Sequence, residues 1–304
     1  MLRIGVFGLI DPCVVESLGG HHVVRQERPT PSGLQPLVGD LDGIVIRSPF
    51  RLDDACALAA TRLQWIIRAG AGIDNISPLF REKGVRVRTT PISAGSVAEL
   101  VIGLAIGLLR GIRPAHDSLR QGLWKKELFI GGELRGRTLG ILGYGRIGRQ
   151  VSRLMHGLGA RIVAFDRTPD APDKRRAAED TDARLMSMEA LFAEADIVVA
   201  CLPGTPQTLH LLNEERFAQF RRGAFLINVG RGSLIEYPAL VAALDSGRLA
   251  GVALDAYEVE PPGHLAIFDR DNVLCTPHLG AQTGEAQKAV GSGVVAHLHE
   301  LLNC

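Results

Sequence analysis

The sequence predicts an α/β protein built from two doubly wound parallel-sheet domains. Three observations carry that reading. Short apolar runs alternate with helical segments along the whole chain, the pattern of parallel strands covered by helices on both faces. Glycine makes up 35 of the 304 residues, above the usual ~7%, which implies many tight turns or places where backbone approaches a ligand closely. The length itself suggests two domains of about 150 residues.

The elements follow in order. LRIGVFGL (2–9), DGIVIRS (42–48), LQWIIRAGAG (63–72) and VRVRTT (85–90) read as strands, the third running into a glycine-rich turn, and residues 1–95 form the first unit. Ser96 and Glu99 have capping-box spacing before the apolar run ELVIGLAIGLLRGI, so a long linking helix is expected from Ser96. The more polar stretch 113–135 carries Trp124, Leu128, Phe129 and Ile130. It fits either an exposed apolar arm that contacts a second copy or a loop packed on its own domain. Alternation restarts at Thr138 with strands TLGILG, RIVAFD (161–166), DIVVACLP (196–203), AFLINV (224–229), GVALDAY (251–257) and NVLCTPH (272–278). Ser187 and Asn213 are placed to cap helices, Gly223 to end one, and Pro238 to begin another that stops near Gly247. Residues 283–304 have helical spacing, and the mixed-sign run DKRRAAED (173–180) reads as a solvated surface.

Composition excludes several function classes. Lys plus Arg is 34 and Asp plus Glu is 33, so bulk charge gives no reason to bind nucleic acid or an anionic membrane. The five cysteines (Cys13, Cys56, Cys201, Cys275, Cys304) are odd in number and widely spaced, without a CxxC. No disulfide framework and no metal site is expected, and a cytoplasmic location follows. No apolar run approaches the ~20 residues of a membrane span.

One motif carries the most weight. Gly143-Tyr144-Gly145-Arg146-Ile147-Gly148 fits GxGxxG, follows a strand and opens a helix; the next strand ends at Asp166, 18 residues past the last glycine. That is the full dinucleotide fingerprint, with the pyrophosphate on the helix N-terminus and Asp166 on the adenosine ribose. A carboxylate there favours NAD over NADP, although the adjacent Arg167 suits a 2′-phosphate. Arg231, Asp255, Glu260 and His278 fall at or just past strand ends, and strand ends of a parallel sheet converge on one crevice. His278 suits acid–base work because histidine ordinarily titrates near pH 6.5, and Glu260 could fix its tautomer. Arg231 offers a planar fork for a carboxylate.

These segments resemble the D-isomer-specific 2-hydroxyacid dehydrogenases. The resemblance rests on GRTLGILGYGRIGRQ, LINVGRGSLIEYPALVAAL, GVALDAYEVEPP and TPHLGA, with support from IVIRS (44–48), RAGAGIDNI (68–76), SVAEL (96–100) and residues 122–149, and covers nearly the whole chain. It implies a Rossmann-type cofactor domain (96–282) inserted in a flavodoxin-like substrate domain (1–95 plus 283–304). It implies NAD as cofactor, a homodimer, Arg231 as the substrate-binding catalytic arginine and Glu260 with His278 as the acid–base pair. Asp255 is expected on the nicotinamide carboxamide, Arg146 and Ile147 on the pyrophosphate, and Pro203, Thr208, Val229 and Gly280 near the cofactor. The Ala71-Gly72 turn is expected to receive the substrate carboxylate.

Arg47, Ser48 and Arg68 stand at strand ends of the first domain, where two extra cations suit a second anionic group on the substrate. The resemblance is greatest to members that oxidise 3-phosphoglycerate, as in serine biosynthesis. The arginines could instead pair with Asp42 or Asp74. Glyoxylate, hydroxypyruvate or a specialised 2-oxo acid are alternative substrates, and an NAD(H)-sensing, corepressor-like binding protein is the alternative from another class. Tyr144 departs from the usual Leu or Phe, and residues 89–94 from the usual Asn-containing loop. No serine-binding regulatory domain is expected, as the chain ends at Cys304.

Overall fold

Aliphatic runs that cannot stay in water form the strands, and helices cover them. The structure is a computed structural model and describes residues 1–302 apart from 29, 31 and 32, so Cys304 lies outside the described residues. Two units separate, residues 1–93 with 281–304, and residues 94–280. The sequence reading puts these junctions at 95/96 and 282/283.

In the first unit, β1 (Arg3–Phe7), α1 (Pro12–Glu16), β2 (His22–Gln26), α2 (Gln35–Val38), β3 (Gly43–Ile46), α3 (Asp54–Ala59), β4 (Trp65–Arg68), α4 (Leu79–Glu82) and β5 (Arg86–Thr89) follow one another. All pairings are parallel, in the order β2-β1-β3-β4-β5. Every residue of β3 and β4 is buried, which is why these strands read as unbroken apolar runs. The edge strand β2 is only half-buried. Its sequence HVVRQ shows no such run, and the sequence reading does not find it.

The second unit begins with α5 (Ala94–Leu109) and α6 (Ile112–Arg120), then alternates β6 (Thr138–Leu142), α7 (Arg146–Gly157), β7 (Arg161–Phe165), α8 (Pro172–Glu179), β8 (Arg184–Leu185), α9 (Met188–Glu194), β9 (Ile197–Ala200), α10 (Glu214–Gln219), β10 (Ala224–Asn228), α11 (Tyr237–Asp245), β11 (Leu249–Leu254) and β12 (Val273–Cys275). Its seven strands are parallel in the order β12-β11-β10-β9-β6-β7-β8. The order reverses between β6 and β9, the topological switch point at which ligands bind in such sheets. One apolar core lies on each face, one including Leu191, Phe217 and Leu240, the other Val101, Leu104, Val151 and Met155. α12 (Gly284–Leu302) completes the first unit, packing Val290, Val294 and Leu298 onto Ile4, Val45 and Ile67.

Side-chain caps set several helix starts. Ser187 Oγ accepts from Ala190 N at 3.2 Å, and Asn213 Oδ1 from Arg216 N at 3.0 Å, as their positions predict. The expected capping box does not form. α5 starts two residues before Ser96, whose hydroxyl donates to Gly280 O at 2.8 Å. Ser96 therefore lies inside the helix, and its hydroxyl is directed to a carbonyl 184 residues away in the chain. Among the described residues no single helix is long and apolar enough to cross a membrane.

Candidate active site

The loop after β6 is a cradle shaped by three glycines, each for a different reason. Gly143 has φ +103, and a Cβ there would come within 2.9 Å of Leu202 in the loop after β9. A Cβ on Gly148 would lie 2.2 Å from Gly143 O, so the first turn of α7 packs on the loop only without one. Gly145 differs, because a Cβ there would meet nothing within 4 Å. The fold does not require glycine at 145; open space in front of a helix N-terminus does suit a group that must approach the backbone. Gly145 is also the N-cap of α7 and offers no side chain to its first N–H groups, which leaves them for an anion. Arg146 is exposed and Ile147 partly so at the same end. These residues fit a dinucleotide pyrophosphate.

Asp166 follows β7, where a ribose acid belongs. Its Oδ2 accepts from Tyr144 N at 3.1 Å, while Oδ1 accepts from Thr168 N at 2.9 Å and from Lys174 Nζ at 2.5 Å. Burial alone would raise the Asp166 pKa, but the Lys174 and Thr168 bonds outweigh it and hold the carboxyl below its ordinary 3.8. Run 173–180 is therefore not simply a solvated surface, since Lys174 turns inward. Tyr144 is fully buried, and its hydroxyl lies 3.1 Å from both Ser152 Oγ and Ala177 O, tying α7 to α8. In the neighbouring loop Thr208 Oγ1 donates to Pro203 O at 2.7 Å and accepts from Thr205 N at 2.9 Å, so Thr208 shapes the turn that Pro203 opens. Val229 is buried just past β10. Cys201, beside Gly143, is a packing group whose thiol burial pushes up to about 12.

The loops after β10, β11 and β12 bring the other polar residues together. Asn228 at the end of β10 donates to Arg231 O at 2.9 Å and accepts from Gly230 N at 3.1 Å, closing the turn that presents Arg231. Sequence reasoning did not single out this asparagine, although an Asn just before a glycine-containing turn is the signal for it. A Cβ on Gly232 would sit 1.9 Å from Tyr257 C, so this loop passes directly against the one leading to Glu260. Glu260 meets His278 with both carboxylate oxygens 2.9 Å from Nδ1. Burial raises the Glu260 pKa; the His278 hydrogen bond and charge, the Tyr257 N–H and the Arg231 charge together bring it below its ordinary 4.5. Glu260 thus feels both His278 and Arg231 within residues 94–280.

His278 has φ +55, in the left-handed region that non-glycine residues seldom occupy. The surrounding bonds hold it there. Asp255 is 2% exposed and accepts from Thr276 Oγ1 at 2.6 Å, Leu279 N at 2.6 Å and Gly280 N at 2.9 Å, gripping the chain on both sides of the histidine. Tyr257 Oη donates toward Leu254 O and Thr276 O at 3.2 and 3.0 Å, joining the Glu260 loop to the His278 loop. In this structure Asp255 is foremost a brace of the histidine loop.

The remaining candidates group separately in the first unit. Arg68 is 8% exposed, with NH2 donating to Ser48 Oγ at 2.9 Å and Nε to Asn75 Oδ1 at 3.3 Å. Arg47 bonds Gln287 of α12. Asp42 pairs with Arg62 at 2.9 Å. The Ala71-Gly72 turn is partly exposed, and Thr90 Oγ1 accepts from Gly70 N at 2.8 Å just before it.

Comparison with known proteins bears on this arrangement. Residues 102–280 match the family described as D-isomer specific 2-hydroxyacid dehydrogenase, NAD binding domain. The chain belongs to this family. Among 2-hydroxyacid dehydrogenases it is 36% identical over 299 residues to D-3-phosphoglycerate dehydrogenase of Rattus norvegicus, across 96% of this chain and 55% of that protein. The chain spans about half the length of the phosphoglycerate dehydrogenases it matches. Hydroxypyruvate reductase of Thermotoga maritima is 37% identical over 274 residues, covering 88% of this chain and 87% of that one. A glyoxylate reductase structure from Paecilomyes thermophila superposes with TM-score 0.89 at 28% identity, covering 98% of this chain and 94% of that one. The cradle at 143–148 lies inside the segment that matches the family's NAD-binding domain.

Proposed function

We propose that the chain is an NAD-dependent dehydrogenase that interconverts a D-2-hydroxy acid and its 2-oxo acid, with 3-phosphoglycerate and 3-phosphohydroxypyruvate as the substrate pair. The observation that carries the reading is the Glu260–His278 pair, within electrostatic reach of Arg231 in the unit that holds the dinucleotide cradle. With Nδ1–H donated to Glu260, the neutral imidazole has its lone pair on Nε2. In the oxidative direction Nε2 takes the substrate hydroxyl proton as the C2–O bond becomes a carbonyl. Bound NAD supplies the acceptor for the hydride that leaves C2. Arg231 holds the carboxylate and polarises the developing carbonyl oxygen. Glu260 keeps the ring oriented and stabilises the imidazolium that forms. Asp255 keeps the histidine loop in place, and a carboxylate with about four acceptor positions and three bonds has one left for the nicotinamide carboxamide.

Arg47 and Arg68 are assigned to the second anionic group of the substrate. A hydroxypyruvate or glyoxylate reductase is the competing reading, favoured by the match along 87% of the Thermotoga maritima enzyme. Following NADH absorbance with 3-phosphoglycerate, hydroxypyruvate and glyoxylate separates the two. Arg47→Ala is the informative variant, because Arg68 is built into its own unit and its loss would also test stability. Loss of charge-assisted phosphate bonds is expected to lower kcat/KM for 3-phosphoglycerate by roughly 10²-fold and to leave glyoxylate within about threefold. Turnover of the unphosphorylated acids alone assigns the chain to the reductases. NADH binding without any turnover assigns it to the dinucleotide-sensing proteins.

A homodimer is assigned to the arm after α6. Trp124, Leu128 and Ile130 are 79%, 67% and 88% exposed, beside a surface cavity of about 550 Å³ lined by Pro114, Leu123 and Phe129. Such a patch is unfavourable in water unless covered. Light scattering is expected to give twice the chain mass for the wild type and the single-chain mass for a Trp124→Glu, Ile130→Glu double variant; a wild-type monomer refutes the assignment. A cytoplasmic setting fits Cys13, Cys56, Cys201 and Cys275, all free thiols.

A further inference from the structure

We propose that Lys174 is a cofactor-selectivity residue: its ammonium neutralises Asp166 at the ribose end of the cradle, so that the chain accepts a 2′-phosphorylated dinucleotide as well as NAD. The inference rests on the dinucleotide reading and deepens it.

An unpaired carboxylate at the end of β7 selects against NADP by repelling the 2′-phosphate. Asp166 is not in that condition. Lys174 Nζ lies 2.5 Å from its Oδ1, and the two side chains are only 16% and 14% exposed, so water screens the pair poorly. The same ammonium lies 2.6 Å from Thr168 Oγ1, which itself donates to Asp166 Oδ1 at 3.2 Å. The position of the lysine is built in. It lies in the first turn of α8, whose later turn is anchored to the buried Tyr144 hydroxyl through Ala177 O. Arg149 of α7 holds Asp173, the residue just before the lysine.

The local charges then favour an anion. Asp166 carries −1, while Lys174 and the exposed Arg167 carry +1 each, for a sum of +1. Of the nearby acids, Asp173 is paired with Arg149, and Asp170 has the cationic Arg175 beside it, whose Nε donates to the Asp170 backbone carbonyl at 3.0 Å. A 2′-phosphate, with close to two negative charges and three acceptor oxygens, would find two cations and a neutralised carboxylate. A ribose hydroxyl pair must instead share Asp166 with the lysine. Removing Lys174 therefore penalises the 2′-phosphorylated cofactor and not NAD.

Isothermal titration calorimetry with NADH and NADPH, and with 5′-AMP and adenosine 2′,5′-bisphosphate to isolate the ribose end, tests this without reference to turnover. The wild type is expected to bind NADPH within about tenfold of NADH. Lys174→Ala is expected to weaken NADPH and the bisphosphate by about tenfold or more, and to leave NADH and 5′-AMP unchanged or tighter. Lys174→Arg, which keeps the charge, is expected to retain NADPH. Parallel loss of both cofactors in Lys174→Ala, or an unchanged NADPH-to-NADH ratio, overturns the selectivity role while the NADH heats keep the dinucleotide reading intact. A wild type that binds neither dinucleotide overturns both.

Discussion

His278→Ala is expected to lower turnover by about 10²–10⁴-fold, the range a positioned general acid–base contributes, with the NADH dissociation constant held within about twofold. The two readouts separate because the groups do. His278 meets Glu260, whereas the cradle is built from the loops after β6, β7 and β9 and does not use the imidazole. A large loss of NADH affinity would mean that the histidine supports the cofactor site instead. Glu260→Gln gives the companion result. An amide keeps the shape but no longer stabilises an imidazolium, so turnover falls less steeply than in His278→Ala. The direction of the Glu260 shift fixes the pH behaviour. A carboxyl held below its ordinary 4.5 keeps its charge, and the stability of its pairing, above that value and loses both only as pH falls through the lowered one. Glu260 therefore adds no titration step to the rate profile between about pH 5 and 9.

Gly145→Val is expected to abolish measurable NADH binding in calorimetry, a loss of about 10²-fold or more, while the thermal midpoint stays within about 2 °C of wild type. Its backbone has φ −80 and ψ −158, which a β-branched residue adopts readily, and a Cβ there meets nothing in the chain. Only a ligand that needs the space is excluded. Gly148→Val is the contrast, since its Cβ would collide with Gly143 O at 2.2 Å and the fold itself should fail. If Gly145→Val binds NADH normally, the pyrophosphate does not lie on this loop.

Much of this was legible in the chain because the physics involved is local. The central strands announce themselves as unbroken aliphatic runs, and the three glycines, the following helix and Asp166 come within 24 residues. What escaped depends on contacts between distant segments. Ser96 has the spacing of a cap, yet its hydroxyl goes to Gly280. β2 is an edge strand whose half-wet surface removes the apolar signal. Lys174 sits in a run of mixed charges that reads as surface, and only the fold of α8 shows that it points at Asp166. Asp255 is legible as a polar residue at a strand end, but its grip on the backbone around residue 278 appears only when β11 and β12 lie side by side.

The His278 and Glu260 side chains are 41% and 32% exposed. On the proposed mechanism, a proton taken up by that ring passes to bulk solvent directly, with no buried relay of hydroxyls, so the buffer would supply and remove it.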